Sequence, residues 1–167
     1  GGHLTTVKRA SFLGGDAVTV LPYDPKTGHV LVIRQFRHGA FVRGDTNPWC
    51  LEPPAGRIDP GETPEAAALR ELVEETGLKA QSIHKVAAYY PTPGAYSEHL
   101  TSYVATCDLS GRDGQVMGLE TEHEDIMSHV ITLDELLAMV ETGAANTGPL
   151  VLCAHIWPGT PCRRLRS

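Results

Sequence analysis

Residues 56–78 carry Gly56, five residues, Glu62, seven residues, Arg70-Glu71-Leu72, one residue, Glu74-Glu75, one residue, and Gly77-Leu78. This stretch demands a turn followed by a short amphipathic helix. Thr63-Pro64 supplies a hydroxyl N-cap and then proline at the first helical position, while Gly77 is suited to a C-terminal stop. The spacing predicts a helix over about 64–76. At about 100° per residue, Glu71, Glu74 and Glu75 share one arc, and Leu69, Leu72, Val73 and Thr76 fall on the other. One face can then dock on a core while the opposite, solvent-facing arc gathers carboxylates.

Like charges one turn apart repel. A hard divalent cation would convert that repulsion into attraction, because Mg²⁺ and Mn²⁺ prefer carboxylate oxygens and Mg²⁺ is commonly held by a few carboxylates together with substrate phosphates. Glu62 lies just before the helix and can join the cluster. Arg70, four residues before Glu74, can pair with it and orient it. The plain alternative is a glutamate-rich surface helix, but the Gly56 entry, Glu62, Arg70 and the Gly77 exit all fall in register.

The rest of the chain bounds the possibilities. Its 167 residues suffice for one domain with a substantial core. The expected organisation is an N-terminal segment over 1–15, of which Gly1-Gly2-His3 reads as a cloning scar, a single domain over 16–158, and a polar tail over 159–167. No apolar run is long enough to span a bilayer. Cys50, Cys107, Cys153 and Cys162 are scattered without a CxxC pair, which reads as reduced thiols in a cytoplasmic protein. The net charge of −6 argues against general nucleic-acid binding.

Strands are expected at Ala17–Tyr23, His29–Arg37, Trp49–Glu52, Ile83–Tyr89, His99–Thr106 and Ile126–Ile131. Asp24–Gly28 reads as a hairpin loop, Phe41–Pro48 as a loop, Pro53–Gly56 as a turn and Ser110–Glu124 as a glycine-rich acidic loop. Thr132-Leu133-Asp134-Glu135 is a capping box that opens a helix ending before Gly143, and a last helix runs from about Pro149 to Trp157. Strands interspersed with few helices indicate an α+β or α/β fold with a mixed β-sheet between helices.

The 56–78 pattern resembles the Nudix hydrolase signature, with every position met. Gln35–Ala40, Leu51–Gly56, Pro93–Glu98 and Gly118–Ile126 look like the ADP-ribose pyrophosphatase branch, of which the tellurite-resistance-associated type is the most similar flavour. Gly77 to Pro93 fits that branch's proline spacing. The resemblance implies an α/β/α sandwich and metal-dependent hydrolysis of a nucleoside diphosphate-sugar, most simply ADP-ribose to AMP and ribose 5-phosphate. It implies Mg²⁺, with Mn²⁺ able to substitute, held by the Ala55 carbonyl and by Glu71, Glu74 and Glu75. It places a water-activating glutamate late in the chain, where Glu122 matches best and Glu124 stands close behind; Glu71 is a further catalytic candidate. Arg37 and Arg57 are candidate substrate contacts, and Ser97 and Glu98 are candidates for the terminal ribose. A homodimer is also implied. In this branch an N-terminal β segment of the partner subunit helps to sandwich the adenine. Residues 1–16 alone precede the first clear strand here, so that segment is expected to be short or absent.

Two other functions compete. A GDP-mannose or other nucleotide-sugar hydrolase would share the same helix. A catalytically silent Nudix-fold binding module would typically have lost signature carboxylates, all of which are present. An 8-oxo-nucleotide triphosphatase fits the proline spacing and the Glu122 loop less well.

Overall fold

A computed structural model describes residues 6–117 and 126–156. In chain order the elements are β1 (Ala17–Asp24), β2 (His29–Phe36), α1 (His38–Arg43), β3 (Trp49–Glu52), β4 (Ala55–Arg57), α2 (Pro64–Thr76), β5 (Ser82–Tyr89), β6 (Leu100–Thr106), β7 (Val116–Met117), β8 (Ile126–Thr132), α3 (Leu133–Thr142) and α4 (Gly148–Ile156). The main path of the sheet runs β5-β6-β1-β2-β8-β7. β1 and β6 are parallel and the other pairs antiparallel, so the sheet is mixed.

Side-chain alternation along the central strands explains the layering. On β1 and β2, Val18, Val20, Leu31 and Ile33 face a core shared with Ala67, Ala68 and Leu72 of α2. The intervening Val30 and Val32, with Leu21, face a second core built with Leu133, Leu136 and Leu137 of α3 and Leu150 and Cys153 of α4. Successive strand residues point to opposite faces, so a strand buried on both sides reads as a continuous apolar run, as β1 and β2 do. The result is the expected α/β/α sandwich.

β1 and β2 pair with each other only at their hairpin end, Tyr23 with Val30 and Asp24 with His29. Beyond that point each takes a different neighbour. Ala17–Thr19 pairs with β4, whereas Ile33–Phe36 pairs with β3. The chain between them, Pro53-Pro54, passes from one partner to the other, and the Pro54 carbonyl accepts from Val20 N at 2.8 Å. This parting of two central strands opens the cleft described below.

Helix ends follow the sequence signals. Thr63 Oγ1 accepts from Ala66 N at 3.2 Å, and Gly77 closes α2 at φ 64°, a left-handed conformation that favours glycine. The Thr132–Glu135 capping box is formed reciprocally, with Glu135 N donating to Thr132 Oγ1 at 3.1 Å and Thr132 N donating to Glu135 Oε2 at 2.8 Å. Such a cap stabilises a helix by about 1 kcal/mol.

Three expectations are corrected. Part of the stretch read as a loop over Phe41–Pro48 belongs to α1, which buries none of its residues and therefore carries no amphipathic pattern. Ala55-Gly56, read as turn, begins β4, a strand defined only by its pairing with β1. Val116–Met117, read as loop, forms β7 against β8. Among the described residues no helix is long and apolar enough to cross a membrane.

Cys107 and Cys153 are buried in the two cores, and burial pushes their thiols up from 9.0 to about 11 and about 12. Above pH 9 the unfolded thiols ionise while the folded ones stay protonated. Their contribution is therefore complete below pH 9 and is lost through about pH 11 and 12, at ~1.4 kcal/mol per pH unit for each thiol. Urea unfolding at pH 8 and pH 10.5 should show a lower midpoint at the higher pH, and Cys153→Ala should reduce that difference.

Candidate active site

The parting of β1 and β2 leaves a cleft of about 790 Å³. Its floor includes Ala17–Thr19 of β1, its sides include Glu52, Pro53 and Ala55–Arg57, and α2 contributes Arg70, Glu71, Glu74 and Glu75. Thr19, nearly inaccessible, bonds Ser102 hydroxyl to hydroxyl at 2.8 Å, and Tyr89 reaches Ser102 at 3.2 Å, so the polar groups behind the floor are satisfied.

Arg70 organises the acidic cluster. Its Nη1 donates to Glu71 Oε1 at 2.6 Å and to Glu74 Oε2 at 2.9 Å. Its Nε and Nη2 donate to Glu62 at 3.1 and 3.0 Å, and Nη2 also donates to the Arg57 carbonyl at 2.9 Å. The expected pairing with Glu74 is thus one of several. These bonds raise the Arg70 pKa above its ordinary value, chiefly through Glu62, and hydrogen bonds from Arg70 and from Asp59 N hold the Glu62 carboxyl low.

Glu75 departs from expectation. It is only 5 % exposed, whereas Val73 is 45 % exposed. Glu75 lies three residues after Leu72 and seven after Ala68, which places it at the edge of the docking face, while Val73 is turned outward. Glu75 Oε2 accepts from Ala55 N at 2.8 Å, which ties the carboxylate helix to β4 at the very residue whose carbonyl was singled out. Glu71 is fixed differently. A Cβ on residue 56 would lie 1.8 to 2.6 Å from the Glu71 carboxylate atoms, so any side chain there would push that carboxylate out of its place, and glycine is what lets it stay.

Arg37, just after β2, forms a two-pronged pair with Glu52 at the end of β3; Nε lies 3.0 and 2.9 Å from the two carboxylate oxygens, and Nη2 also contacts Oε2. Arg37, Arg57 and Glu98 all line the cleft. Burial raises the Glu98 carboxyl above its usual range, partly offset by a hydrogen bond from Tyr96. Ser97 lies outside this lining, beside the N-terminal segment, where its hydroxyl donates to the Gly14 carbonyl at 3.3 Å. Glu122 and Glu124 fall outside the described residues. Glu52 and Asp59 line the cleft without having been singled out; the only sequence cue for Glu52 was its place in the Leu51–Gly56 motif.

The described lining holds six carboxylates, of Glu52, Asp59, Glu71, Glu74, Glu75 and Glu98, against three guanidiniums. A polyanion could not enter this cleft unless its charge were screened. Oxygen donors from α2 and β4 fit a hard divalent cation. Among the described residues no three acidic, imidazole or thiol side chains already form an assembled cage.

Fold and site together define a domain class, and comparison with known proteins agrees. Residues 14–151 match the family described as NUDIX domain. The chain belongs to the Nudix family and is a Nudix pyrophosphohydrolase; hydrolases of this family generally use divalent metal ions. It is similar to the ADP-ribose pyrophosphatase of Escherichia coli (strain K12), 36% identical over 146 residues, covering 87% of this chain and 69% of that protein. The ADP-ribose pyrophosphatase of Haemophilus influenzae is 32% identical over 154 residues, 91% of this chain and 70% of its own length. The GDP-mannose pyrophosphatase of Citrobacter koseri is 32% identical over 151 residues, 90% and 78% of the two chains. These names support the ADP-ribose pyrophosphatase resemblance and give no support to the tellurite-resistance qualifier.

Two substitutions test the geometry. Gly56→Ala should displace Glu71 and lower turnover at least about a hundredfold. Glu75→Ala, which leaves Ala55 N–H without its acceptor, should cost about 2–3 kcal/mol in chemical denaturation as well as activity. A fully stable Glu75→Ala protein would contradict the buried placement of this carboxylate.

Proposed function

We propose that this chain hydrolyses the diphosphate of a nucleoside diphosphate-sugar, with ADP-ribose as substrate and AMP and ribose 5-phosphate as products. The observation that carries this reading is the gathering of Glu71, Glu74, Glu75 and the Ala55 backbone in one acidic cleft. The ADP-ribose assignment draws on the names of the Escherichia coli and Haemophilus influenzae relatives.

In this reading Glu71, Glu74, Glu75 and the Ala55 carbonyl hold Mg²⁺, for which Mn²⁺ can substitute. The bound cation supplies charge neutralisation at the phosphate oxygens and acidifies water. Glu122, or failing it Glu124, accepts the proton of the attacking water; Glu71 is retained as a further catalytic candidate. The water oxygen bonds to phosphorus as the bridging phosphoanhydride bond breaks and its electron pair leaves with the departing phosphate. Arg37 and Arg57 contact the diphosphate, and Glu98, which lines the cleft as Ser97 does not, binds the terminal ribose. The protein acts as a homodimer, which sedimentation in solution would measure.

A second reading, GDP-mannose hydrolysis, is favoured by the Citrobacter koseri relative, which aligns with 90% of the chain. A substrate panel with product analysis, run with and without chelator, separates the two. AMP from ADP-ribose, abolished by chelator and restored by Mg²⁺, is the expected result. Turnover of GDP-mannose without AMP release from ADP-ribose would overturn the assignment. Glu75→Gln should lower kcat at least about a hundredfold, whereas Glu122→Gln should slow turnover with the Mg²⁺ half-saturation point unchanged. Unaltered turnover in Glu122→Gln would move the base to Glu124 or to Glu71.

A further inference from the structure

The loop between β5 and β6 contributes Glu98 to the cleft, and the segment before β1 is fastened along that loop. Phe12 N donates to the Ala95 carbonyl at 2.7 Å and the Phe12 carbonyl accepts from Ser97 N at 3.1 Å, which makes residues 12 and 96 a parallel bridge. Beyond it Ser97 Oγ donates to the Gly14 carbonyl at 3.3 Å, His99 N to Asp16 Oδ1 at 3.4 Å, and Ala17 N to the His99 carbonyl at 3.2 Å. The two stretches, far apart in sequence, run side by side from Phe12 to Ala17.

Tyr96 is the side chain held between them. Its ring is tilted against that of Phe12, with centroids 5.3 Å apart. Its far end rests on Gly14, where an added Cβ would collide with the hydroxyl oxygen and the ring carbons beside it. Gly14 lies outside the left-handed region, so glycine is needed there for space alone. At the next residue, Gly15, an added Cβ would meet nothing within 4 Å. From this seat the Tyr96 hydroxyl donates to the Glu98 carboxylate, on which Arg57 and Asp16 also act through their charges.

A carboxylate recognises adjacent sugar hydroxyls by accepting from both, which requires its two oxygens to be presented in a fixed plane. A glutamate side chain left to itself samples many rotamers, so one that must present such a plane has to be held. We infer that Tyr96 is a positioning residue for the sugar end of the substrate: seated on Gly14, it holds the Glu98 carboxylate in the orientation that receives the terminal ribose hydroxyls. This inference rests on the proposed function for the role of Glu98. It gives the segment before β1 a part in sugar recognition, through Gly14.

The test compares ADP-ribose with the methyl ester of ADP, which keeps the nucleoside diphosphate and lacks the terminal sugar; the ester is measured by its inhibition constant against ADP-ribose hydrolysis. Tyr96→Phe keeps the ring and removes only the hydroxyl. It should raise KM for ADP-ribose about tenfold with kcat within about twofold, and leave the inhibition constant of the ester within about twofold. Gly14→Ala should do the same by displacing the ring, whereas Gly15→Ala, which adds the same methyl group in open space, should match the wild type. In a Glu98→Ala background Tyr96→Phe should change KM by less than about twofold, because the group it positions is gone. If Gly14→Ala does not fold, Tyr96→Phe and its cycle with Glu98 carry the test. An unchanged KM for ADP-ribose, an equal weakening of ADP-ribose and the ester, or a full tenfold rise persisting in Glu98→Ala would overturn the inference. Failure of the functional reading is seen separately, as a wild type that releases no AMP from ADP-ribose; the comparison then runs on the nucleoside diphosphate-sugar that the panel identifies and on the methyl ester of its nucleoside diphosphate.

Discussion

The site depends on one guanidinium. Arg70 holds Glu62, Glu71 and Glu74 within hydrogen-bond distance and also binds the Arg57 carbonyl on β4. Without it, carboxylates gathered on one short helix would repel each other and turn outward into water. With it, the acidic cluster has a defined shape and is fastened to the strand that forms the cleft wall. Glu75 completes the attachment from the other side through Ala55 N, so α2 and β4 are joined at two points that flank the signature glycine. Gly56 is the third element of that joint, because only an absent side chain lets Glu71 settle against the strand.

The sandwich supplies the platform. Two cores on opposite faces of one sheet hold β1 and β2 firmly, yet these strands share hydrogen bonds only near their connecting loop. The backbone groups each would have offered the other are taken up by β3 and β4, so the cleft is opened with the ladder of each strand continued by a new partner. A long buried sheet and an open polar cavity coexist because the opening follows a change of strand partner.

Much of this was legible in the sequence where a pattern repeats or a residue type is conformationally special. The bounds of α2 follow from Thr63-Pro64 and Gly77, those of α3 from its capping box and Gly143, and β1 and β2 from their apolar runs. What escaped notice has a physical cause in each case. α1 buries nothing, and β4 and β7 are too short to show alternation, being defined by partners far away in the chain. The burial of Glu75 escaped because charge was given more weight than helical phase. The Arg37–Glu52 pair escaped because the register of β2 on β3 must be known before the residue that follows β2 can be seen beside one at the end of β3.

The passage from β3 to β4 separates two demands that usually compete. Leu51 belongs to the core on the α3 and α4 face, while the residues immediately after it border the cleft. Pro53 and Pro54 lie between, with their φ angles fixed by their rings. That step is itself held to the sheet, since the Pro54 carbonyl accepts from Val20 N, so the position of the cleft wall is tied to a core strand. The chain thus turns from buried layer to open cavity within two residues, Leu51 to Pro53.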